Sequence, residues 1–465
     1  MSIEQIVTGA SGRGPAVRKP TVAERGYSDG FEAASASLPG GGWVKGLRQK
    51  AIEAFSERGL PSRRVEAFKY TDLRERVKEA YPPAAAGMDV GRDDVDAALG
   101  ALAGLDAYRL VFVDGRFRAE LSDSEGLSEA AEFMALAPLL GKAPPWLEGK
   151  FAAGRLIGGE DAIALLNAAY MSDGLLIKIK PGLSASKPVM IVNAVASPTP
   201  ASVTTRNIVA MESGASLMLI EADVALSGAA PEGTGNVLTD VTVADGACLD
   251  HVKVVRDIGQ SSRLALVSAD VASEAVYRAF ALVAGGRLVR NQIGVKLAGA
   301  GSRLDISGAF LARGTSHVDT TLLVDHAAIG CESRELFKGV LDDRARGVFQ
   351  GKIIVRPGAV KTDGKQMARA LMLSEEAEFD SKPELEIFAD DVACGHGATT
   401  AEIDPDLMFY CRSRGIPEAE ARALLIEAFI GEAIGKIESE EIRSALMDEA
   451  RAWFARERSA ASAHV

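Results

Sequence analysis

The chain has little of what several common protein classes require. Its 465 residues include only 4 cysteines, 5 histidines and 6% aromatic residues, and 64 acidic residues against 52 basic ones give a net charge of −12. Four cysteines in so long a chain do not form a disulfide framework. The acidic excess disfavours a nucleic-acid role and gives no reason to expect binding to anionic lipid.

Targeting segments and catalytic motifs are also scarce. The N-terminus has no apolar run typical of a secretory signal, and no stretch approaches the roughly 18 apolar residues of a membrane span. We therefore expect a cytoplasmic protein with reduced thiols. No G-x-x-x-x-G-K-[ST], G-x-S-x-G or H-E-x-x-H pattern occurs, so the sequence predicts no ATPase motif of its own and no common hydrolase site.

Glycine, by contrast, is abundant, at 47 residues. From Gly174 onward, short strand-like runs recur for about 220 residues, and most end at a small-residue corner. The corners at Gly214, Gly246, Glu274 and Gly301 are separated by 32, 28 and 27 residues. Repetition near this period without intervening helices predicts a parallel β-helix. A β-sandwich or jelly roll remains the alternative, because alternating patterning alone does not separate these folds.

Helical patterns flank this β core. Residues 22–80 and 127–171 read as mostly helical, and two apolar runs around Asp114-Gly115 read as a β-hairpin. A C-terminal helix begins at Pro405 and two more follow it. The predicted organisation is a disordered tail (1–20), an N-terminal helical region with a β-hairpin (21–172), a parallel β-helix core (173–403) and a C-terminal helical region (404–465).

Two potential metal ligands lie close together near the end of the core, at Cys394 and His396. Alternate residues of a strand project from the same face, so a thiol and an imidazole would point the same way. Both side chains bind soft or borderline metals. The small residues around them would let another chain approach closely. Two ligands do not complete a metal site, so the alternatives are a structural pair or part of a shared site.

The remaining histidine and cysteine patterns favour structural roles. His317 and His326 lie nine residues apart, which is not a recognised ligand spacing, and we predict hydrogen bonds to the neighbouring Asp319 or Asp325. Cys411 lies in an apolar helical segment and is predicted to be a buried, inert thiol.

Several runs carry a family resemblance. E-L-F-K-G-V-L-D-D-R-A-R-G-V-F-Q-G-K-I (335–353), K-P-E-L-E-I-F-A-D-D-V-A-C-G-H-G-A-T-T (382–400) and L-M-F-Y-C-R-S-R-G-I (407–416) resemble the SufB/SufD family of iron–sulfur cluster assembly proteins. L-P-S-R-R-V-E-A-F-K-Y-T-D-L (60–73), F-V-D-G-R-F (112–117) and G-R-L-V-R-N (286–291) are similar to its SufD branch in particular. SufB-type chains carry a cysteine where this sequence reads L-M-L-S (371–374), so the scaffold thiol is absent here.

The resemblance implies a right-handed parallel β-helix core with helical N- and C-terminal regions. It implies a non-enzymatic subunit that pairs with SufB through the core and supports iron acquisition and nascent cluster formation. His396 matches a family histidine at the SufB interface, a candidate iron or cluster ligand, and Cys394 is a weaker candidate. The isolated chain would hold no stable cofactor, since iron or a cluster would be bound transiently in the complex. A homodimer is a further expectation when SufB is missing.

The resemblance also assigns the C-terminal helices, as far as about Ile437, to docking of the SufC ATPase. The implied partner-binding residues are Pro405, Leu407, Phe409, Tyr410, Arg414, Leu424, Leu425 and Phe429. Two alternatives are a SufB-like scaffold that acts alone and a β-helix carbohydrate-active enzyme. The missing thiol argues against the first, and the few aromatics and the lack of a carboxylate cluster argue against the second.

Overall fold

The computed structural model describes residues 19–142, 147, 151, 155–156, 159–256 and 258–462, so most of the predicted N-terminal tail lies outside the described residues. Helices are numbered along this described chain as α1 (Val22–Asp29), α2 (Phe31–Ser35), α3 (Gly42–Arg58), α4 (Leu73–Arg76), α5 (Arg92–Leu99), α6 (Leu127–Ala130), α7 (Leu136–Gly141), α8 (Ala162–Tyr170), α9 (Pro405–Ser413), α10 (Glu418–Ile434) and α11 (Glu440–Ser462).

Five strands lie in the N-terminal region, and the others follow one another without intervening helices from residue 175. They are β1 (Tyr108–Val113), β2 (Arg116–Phe117), β3 (Ala131–Ala135), β4 (Arg155–Leu156), β5 (Gly159–Glu160), β6 (Leu175–Ile179), β7 (Val189–Val195), β8 (Ala201–Met211), β9 (Ser216–Ala225), β10 (Gly233–Val243), β11 (Cys248–Arg256), β12 (Ser262–Val271), β13 (Val276–Ala284), β14 (Leu288–Leu297), β15 (Arg303–Ala312), β16 (His317–His326), β17 (Glu332–Leu341), β18 (Arg346–Val355), β19 (Asp363–Met372), β20 (Glu378–Ile387) and β21 (Ala393–Ala401).

From β6 onward, successive strands alternate between two long sheets. The ten-stranded sheet has the order β2-β1-β7-β9-β11-β13-β15-β17-β19-β21, and the nine-stranded sheet has the order β20-β18-β16-β14-β12-β10-β8-β6-β3. Neighbours among β6 to β21 are parallel, and each rung is a pair of strands, one in each sheet. The chain is therefore a parallel β-solenoid, as predicted, and neither an antiparallel sandwich nor a jelly roll.

The repeat corners seen in the sequence stack on one another. Gly214, Gly246, Glu274 and Gly301 all have positive φ, between 54° and 68°. The N–H of Gly214 donates to Asp245 (3.0 Å), and that of Gly246 donates to Ser273 (2.9 Å). A left-handed corner favours glycine, which is why small residues recur there. The strand registers place one rung 26 to 32 residues after the previous one, from Ser262↔Leu288 to Ser216↔Cys248.

Three apolar clusters hold these layers together. One fills the inside of the solenoid along its length, with Leu217, Leu249, Tyr277 and Leu304 among its members. A second packs α10 and α11 against the outer face of the ten-stranded sheet. A third packs α3 and α8 against the outer face of the nine-stranded sheet, over its earlier rungs. The helices therefore cover both outer faces, but they leave the last rung open.

Two sequence expectations need correction. Residues 127–171 are not simply helical, because β3 lies within them and pairs antiparallel with β6, with Phe133 opposite Ile177. This strand caps the first edge of the nine-stranded sheet. Cys411 is only half-buried, because α9 buries none of its residues. Within the described chain, no helix has the length and apolar character needed to cross a bilayer.

Candidate metal and partner site at the open end

The solenoid ends in two strands that each lack a second neighbour among the described strands. β20 pairs with β18, and β21 pairs with β19. None of their residues is buried. Ile387, the last residue of β20, is 42% exposed, and Phe388, which follows it, is 54% exposed. Unpaired strand edges with exposed apolar side chains are templates for pairing with another chain. The open end is therefore the candidate interface of this protein.

Cys394 and His396 lie at alternate positions of β21. Their register partners on β19 are Gly364 and Gln366, respectively. Cys394 is half-buried and packs against the inner cluster of the solenoid, whereas His396 is exposed. A Cβ at position 364 would lie 3.7 Å from the Cys394 Sγ, so the missing side chain at Gly364 leaves space directly behind the thiol. The pair thus lines the inner side of the last rung, where an approaching chain would meet it.

A polar row continues from this pair into the solenoid. Ser333 and Glu335 of β17 stand behind Gly364 and Gln366 in the same register rows. The Ser333 hydroxyl is 3.0 Å from His326 Nε2 and donates to Glu335 Oε1 at 3.4 Å. Glu335 is 3% exposed, and its second carboxylate oxygen has no hydrogen-bond partner among the described residues. Sequence reasoning missed this row, because its members become neighbours only through stacking about 30 residues apart.

Burial controls the protonation of these groups. It raises the pKa of Glu335 to about 8, because the loss of hydration outweighs the hydrogen bond from Ser333, which acts in the opposite direction. It also raises the pKa of the Cys394 thiol, although a backbone hydrogen bond from Gly364 and the nearby Lys365 act in the opposite direction. At neutral pH both groups are therefore held in their uncharged forms. A metal binding to Cys394 would have to displace the thiol proton.

The two open edges differ in chemistry. β21 reads A-C-G-H-G-A-T-T-A and carries no acidic or basic side chain apart from the imidazole of His396. β20 carries five charged residues and Pro383, which has no N–H to donate. Charges and proline on an edge strand discourage pairing, whereas a small, uncharged edge permits it. The strand that carries Cys394 and His396 is therefore the more receptive of the two.

The C-terminal helices present a second surface. Three side chains of α9 are largely exposed: Leu407 by 51%, Phe409 by 73% and Tyr410 by 56%. The Arg414 guanidinium lies 4.9 Å from the centre of the Tyr410 ring. α10 buries the opposite side of its surface, including Ile426 and Ile430, against the solenoid. The other residues predicted to bind SufC differ in exposure: Pro405 and Leu424 are exposed, and Leu425 and Phe429 are half-buried.

The predicted partners of the two structural histidines were wrong. His317 Nε2 lies 2.8 Å from the hydroxyl of Thr71, which is 246 residues away in sequence. His326 bonds Ser333, because the neighbouring Asp325 projects from the opposite face of the strand and pairs with Arg356. Neither histidine lies with enough other donors to ligate a metal. Among the described residues, no three His, Cys, Asp or Glu side chains converge on a common metal position.

A helix-capped parallel β-solenoid with one open end, where a cysteine and a histidine line the exposed rung, defines the class of this protein. Residues 192–429 match the family model described as the SUF system FeS cluster assembly SufBD core domain, and residues 23–191 match the SufBD protein N-terminal region. The chain therefore belongs to the SufBD family of iron–sulfur cluster assembly proteins.

Curated relatives match along most of their length. The chain is 30% identical over 407 residues to the iron–sulfur cluster assembly protein SufD of Escherichia coli, covering 86% of this chain and 90% of that protein. It is also 30% identical over 399 residues to an iron–sulfur cluster assembly SufBD family protein of Synechocystis, covering 84% and 86%. A Mycobacterium bovis family member is 36% identical over 215 residues, 44% of this chain and 54% of that protein.

Proposed function

We propose that this chain is the SufD-type subunit of a cytoplasmic iron–sulfur cluster assembly complex. In this proposal it pairs with SufB through the open end of the solenoid and binds the SufC ATPase through α9 and α10. It performs no ATP hydrolysis itself. Iron or a nascent cluster is its cargo, held transiently in the complex rather than as a resident cofactor.

The observation that carries the proposal is the chemistry of β21. A strand with a free, uncharged edge presents a thiol and an imidazole from its inner side, next to the space left by Gly364. Tetrahedral iron and zinc sites usually need four ligands, so the two donors of this strand suit a site that a second chain completes. Pairing along β21 would bring that chain's side chains to the same rung.

Cluster formation in the assembled complex tests the role of the pair. We expect His396→Ala to leave the fold and SufC binding intact and to lower cluster yield at least about tenfold, and Cys394→Ser to lower it less. Thr399→Ala is the matched control, because Thr399 lies on the same exposed strand and is not a metal ligand candidate. Wild-type cluster yield from the His396→Ala complex would reject the assignment.

Substitution of α9 tests the SufC surface. Deleting everything from Pro405 would also remove the buried contacts of α10 and α11, so loss of binding would be ambiguous. Because α9 buries no residue, the double substitution Leu407→Ala and Phe409→Ala should not disturb the fold. We expect this variant to lose SufC binding while Leu183→Ala, at another exposed leucine, retains it. Unchanged SufC binding by the double variant would contradict the proposal.

A second copy of the chain could occupy the same edge when SufB is absent. The resulting homodimer should dissociate when SufB is added, because both partners would use β21. Sedimentation of the chain alone and with SufB measures this directly. A homodimer that persists beside bound SufB would place self-association elsewhere on the molecule.

A further inference from the structure

The segment Leu60–Leu73, which we call the strap, crosses the outer face of the nine-stranded sheet near its open end. Its backbone carbonyl at Ala67 accepts hydrogen bonds from Arg290 Nη2 (2.8 Å) and Gln350 Nε2 (3.1 Å). The Phe68 ring lies under the Arg290 guanidinium, 4.0 Å from ring centre to Cζ. These contacts already join β14 and β18 through one short piece of the N-terminal region.

Thr71 is the centre of the strap's attachment. Its hydroxyl contacts both His317 Nε2 (2.8 Å) and the Asp319 carboxylate, and all three side chains are fully buried. A hydroxyl has one proton, and an ionised carboxylate only accepts. Thr71 therefore donates to Asp319 and accepts from the Nε2–H of His317, so one threonine satisfies two groups of β16.

Asp319 links this attachment to the rest of the sheet. Its carboxylate also pairs with Arg290 of β14 and accepts from the Thr321 hydroxyl at 3.0 Å. In the middle of the strap, next to Ala67, Glu66 pairs with Lys382 of β20. The strap therefore contacts four successive strands, β14, β16, β18 and β20, a span of about 14 Å at the usual strand spacing.

Of the four strands that the strap contacts, β20 has the least other support. It has one described strand neighbour, buries none of its residues and contains Pro383, which removes a ladder donor. Its partner strand in the last rung, β21, carries Cys394 and His396. Movement of β20 would therefore displace the open end against which a second chain must fit.

We propose that the strap is a positioning element that holds β20, and with it the open end of the solenoid, in the arrangement that the partner chain recognises. The inference rests on the proposed pairing with SufB for its functional consequence, but its structural part can be tested on the chain alone. Thr71, Glu66 and Arg290 are the positioning residues, and none of them lies at the candidate metal position.

Amide hydrogen exchange of the full chain tests the structural part. We expect Thr71→Val, which removes the hydroxyl and keeps the shape, to accelerate exchange about tenfold in β16, which Thr71 contacts directly, and in β18 and β20, while β8 to β12 stay as in wild type. Thr71→Ser retains the hydroxyl and should behave as wild type. Glu66→Gln, which alters an exposed side chain and spares the fold, should accelerate exchange in β20 alone. An even acceleration in all strands, or none in β20, would overturn the proposal.

Binding to purified SufB and SufC tests the functional part. We expect Thr71→Val to weaken SufB binding about fivefold or more, with rescue by Thr71→Ser and no change in SufC binding. Local exchange changes with unaltered SufB affinity would overturn the positioning role. If the wild-type chain itself fails to bind SufB, the proposed function fails, and the exchange result still decides whether the strap holds β20.

Discussion

Lys338 of β17 and Glu432 of α10 form an ion pair that joins the solenoid to the C-terminal helices. The Lys338 side chain is only 2% exposed, and its ammonium also lies 4.3 Å from the centre of the Phe429 ring. Glu432 is half-exposed and has Arg369 within 3.7 Å. Lys338 is therefore buried whereas Glu432 is half-exposed, so replacing one should change the free energy of unfolding by a different amount than replacing the other.

Glu432→Gln should destabilise the fold more than Lys338→Met does. The first change leaves a buried ammonium without its carboxylate, which costs about 1–2 kcal/mol once the exposure of Glu432 is considered. The second removes the charge and keeps most of the apolar stem, so a smaller loss is expected. Urea denaturation of both variants measures the difference. Equal losses of unfolding free energy in the two variants would mean that Glu432 does not stabilise the buried ammonium of Lys338.

Stability should fall as the pH drops below about 6.5, because His317 is buried beside Arg76, Arg290 and Arg346. Burial first, and then the positive charge of these guanidinium groups, together lower its pKa from 6.5 to about 2. The folded chain keeps the ring neutral while the unfolded chain takes up a proton. The free energy of unfolding should therefore decrease by up to about 1.4 kcal/mol per pH unit between those values.

Replacement of the ring tests this assignment. His317→Gln should have a shallower pH dependence below about pH 6.5 than the wild type, whatever its stability at neutral pH. His326 adds to the same slope, because burial lowers its pKa to about 4. The slope of unfolding free energy against pH, from denaturation in buffers across this range, is the measurement. An identical slope in both proteins would show that His317 can be protonated within the fold.

The effect of Glu335 on stability should have the opposite pH dependence, with stability falling as the pH rises. Its pKa is raised from 4.5 to about 8 by burial, so the folded chain keeps it protonated while the unfolded chain ionises it. Its stabilising contribution is complete below about pH 4.5 and is lost as the pH rises to about 8. Glu335→Gln keeps the size and cannot ionise. The variant should thus gain stability over wild type across that window, by up to about 1.4 kcal/mol per pH unit.

Thermal denaturation at both ends of this window checks the prediction for Glu335. The two proteins should differ little near pH 4.5 and most near pH 8. A stability difference that does not change with pH would contradict the buried, neutral carboxyl. The readout does not depend on iron or on partner proteins.

Gly339→Ala should destabilise the solenoid, because the added Cβ would lie 2.2 Å from the Phe310 ring on the neighbouring strand. Such overpacking costs about 1–3 kcal/mol. Gly46→Ala is the matched control, since a Cβ there meets nothing within 4 Å and position 46 is inside a helix. The control should be neutral or slightly stabilising. Melting temperatures of the two variants give the comparison, and equal shifts would be unexpected.

The sequence predicts the repeating part of this fold well and its long-range contacts poorly. Gly214, Gly246 and Gly301 mark the stacked corners because left-handed backbone favours glycine wherever it recurs. Glu274 shares their conformation without that residue type, and only the spacing identifies it. Local periodicity gave no sign of the bond between Thr71 and His317, because that pairing depends on where the N-terminal region crosses the sheet.

The sequence likewise predicts only part of the candidate site. The alternate placement of Cys394 and His396 follows from strand geometry and could be predicted. Their neighbours Glu335 and Gly364 could not, because a rung offset must be known before residues 30 apart become adjacent. β3 escaped prediction for a related reason: its strand character depends on the edge of β6 that it covers rather than on its own pattern.

The open last rung has a consequence for how the protein is made. Each rung of a solenoid stacks mainly on its neighbours, and a growing chain folds from its N-terminal side as it leaves the ribosome. The capped first rungs and the strap are therefore synthesised long before β20 and β21. Of the described strands, the one that carries Cys394 and His396 is synthesised last, when the strands on which it stacks have already been made. A truncated or stalled chain would therefore present a solenoid end that lacks both Cys394 and His396.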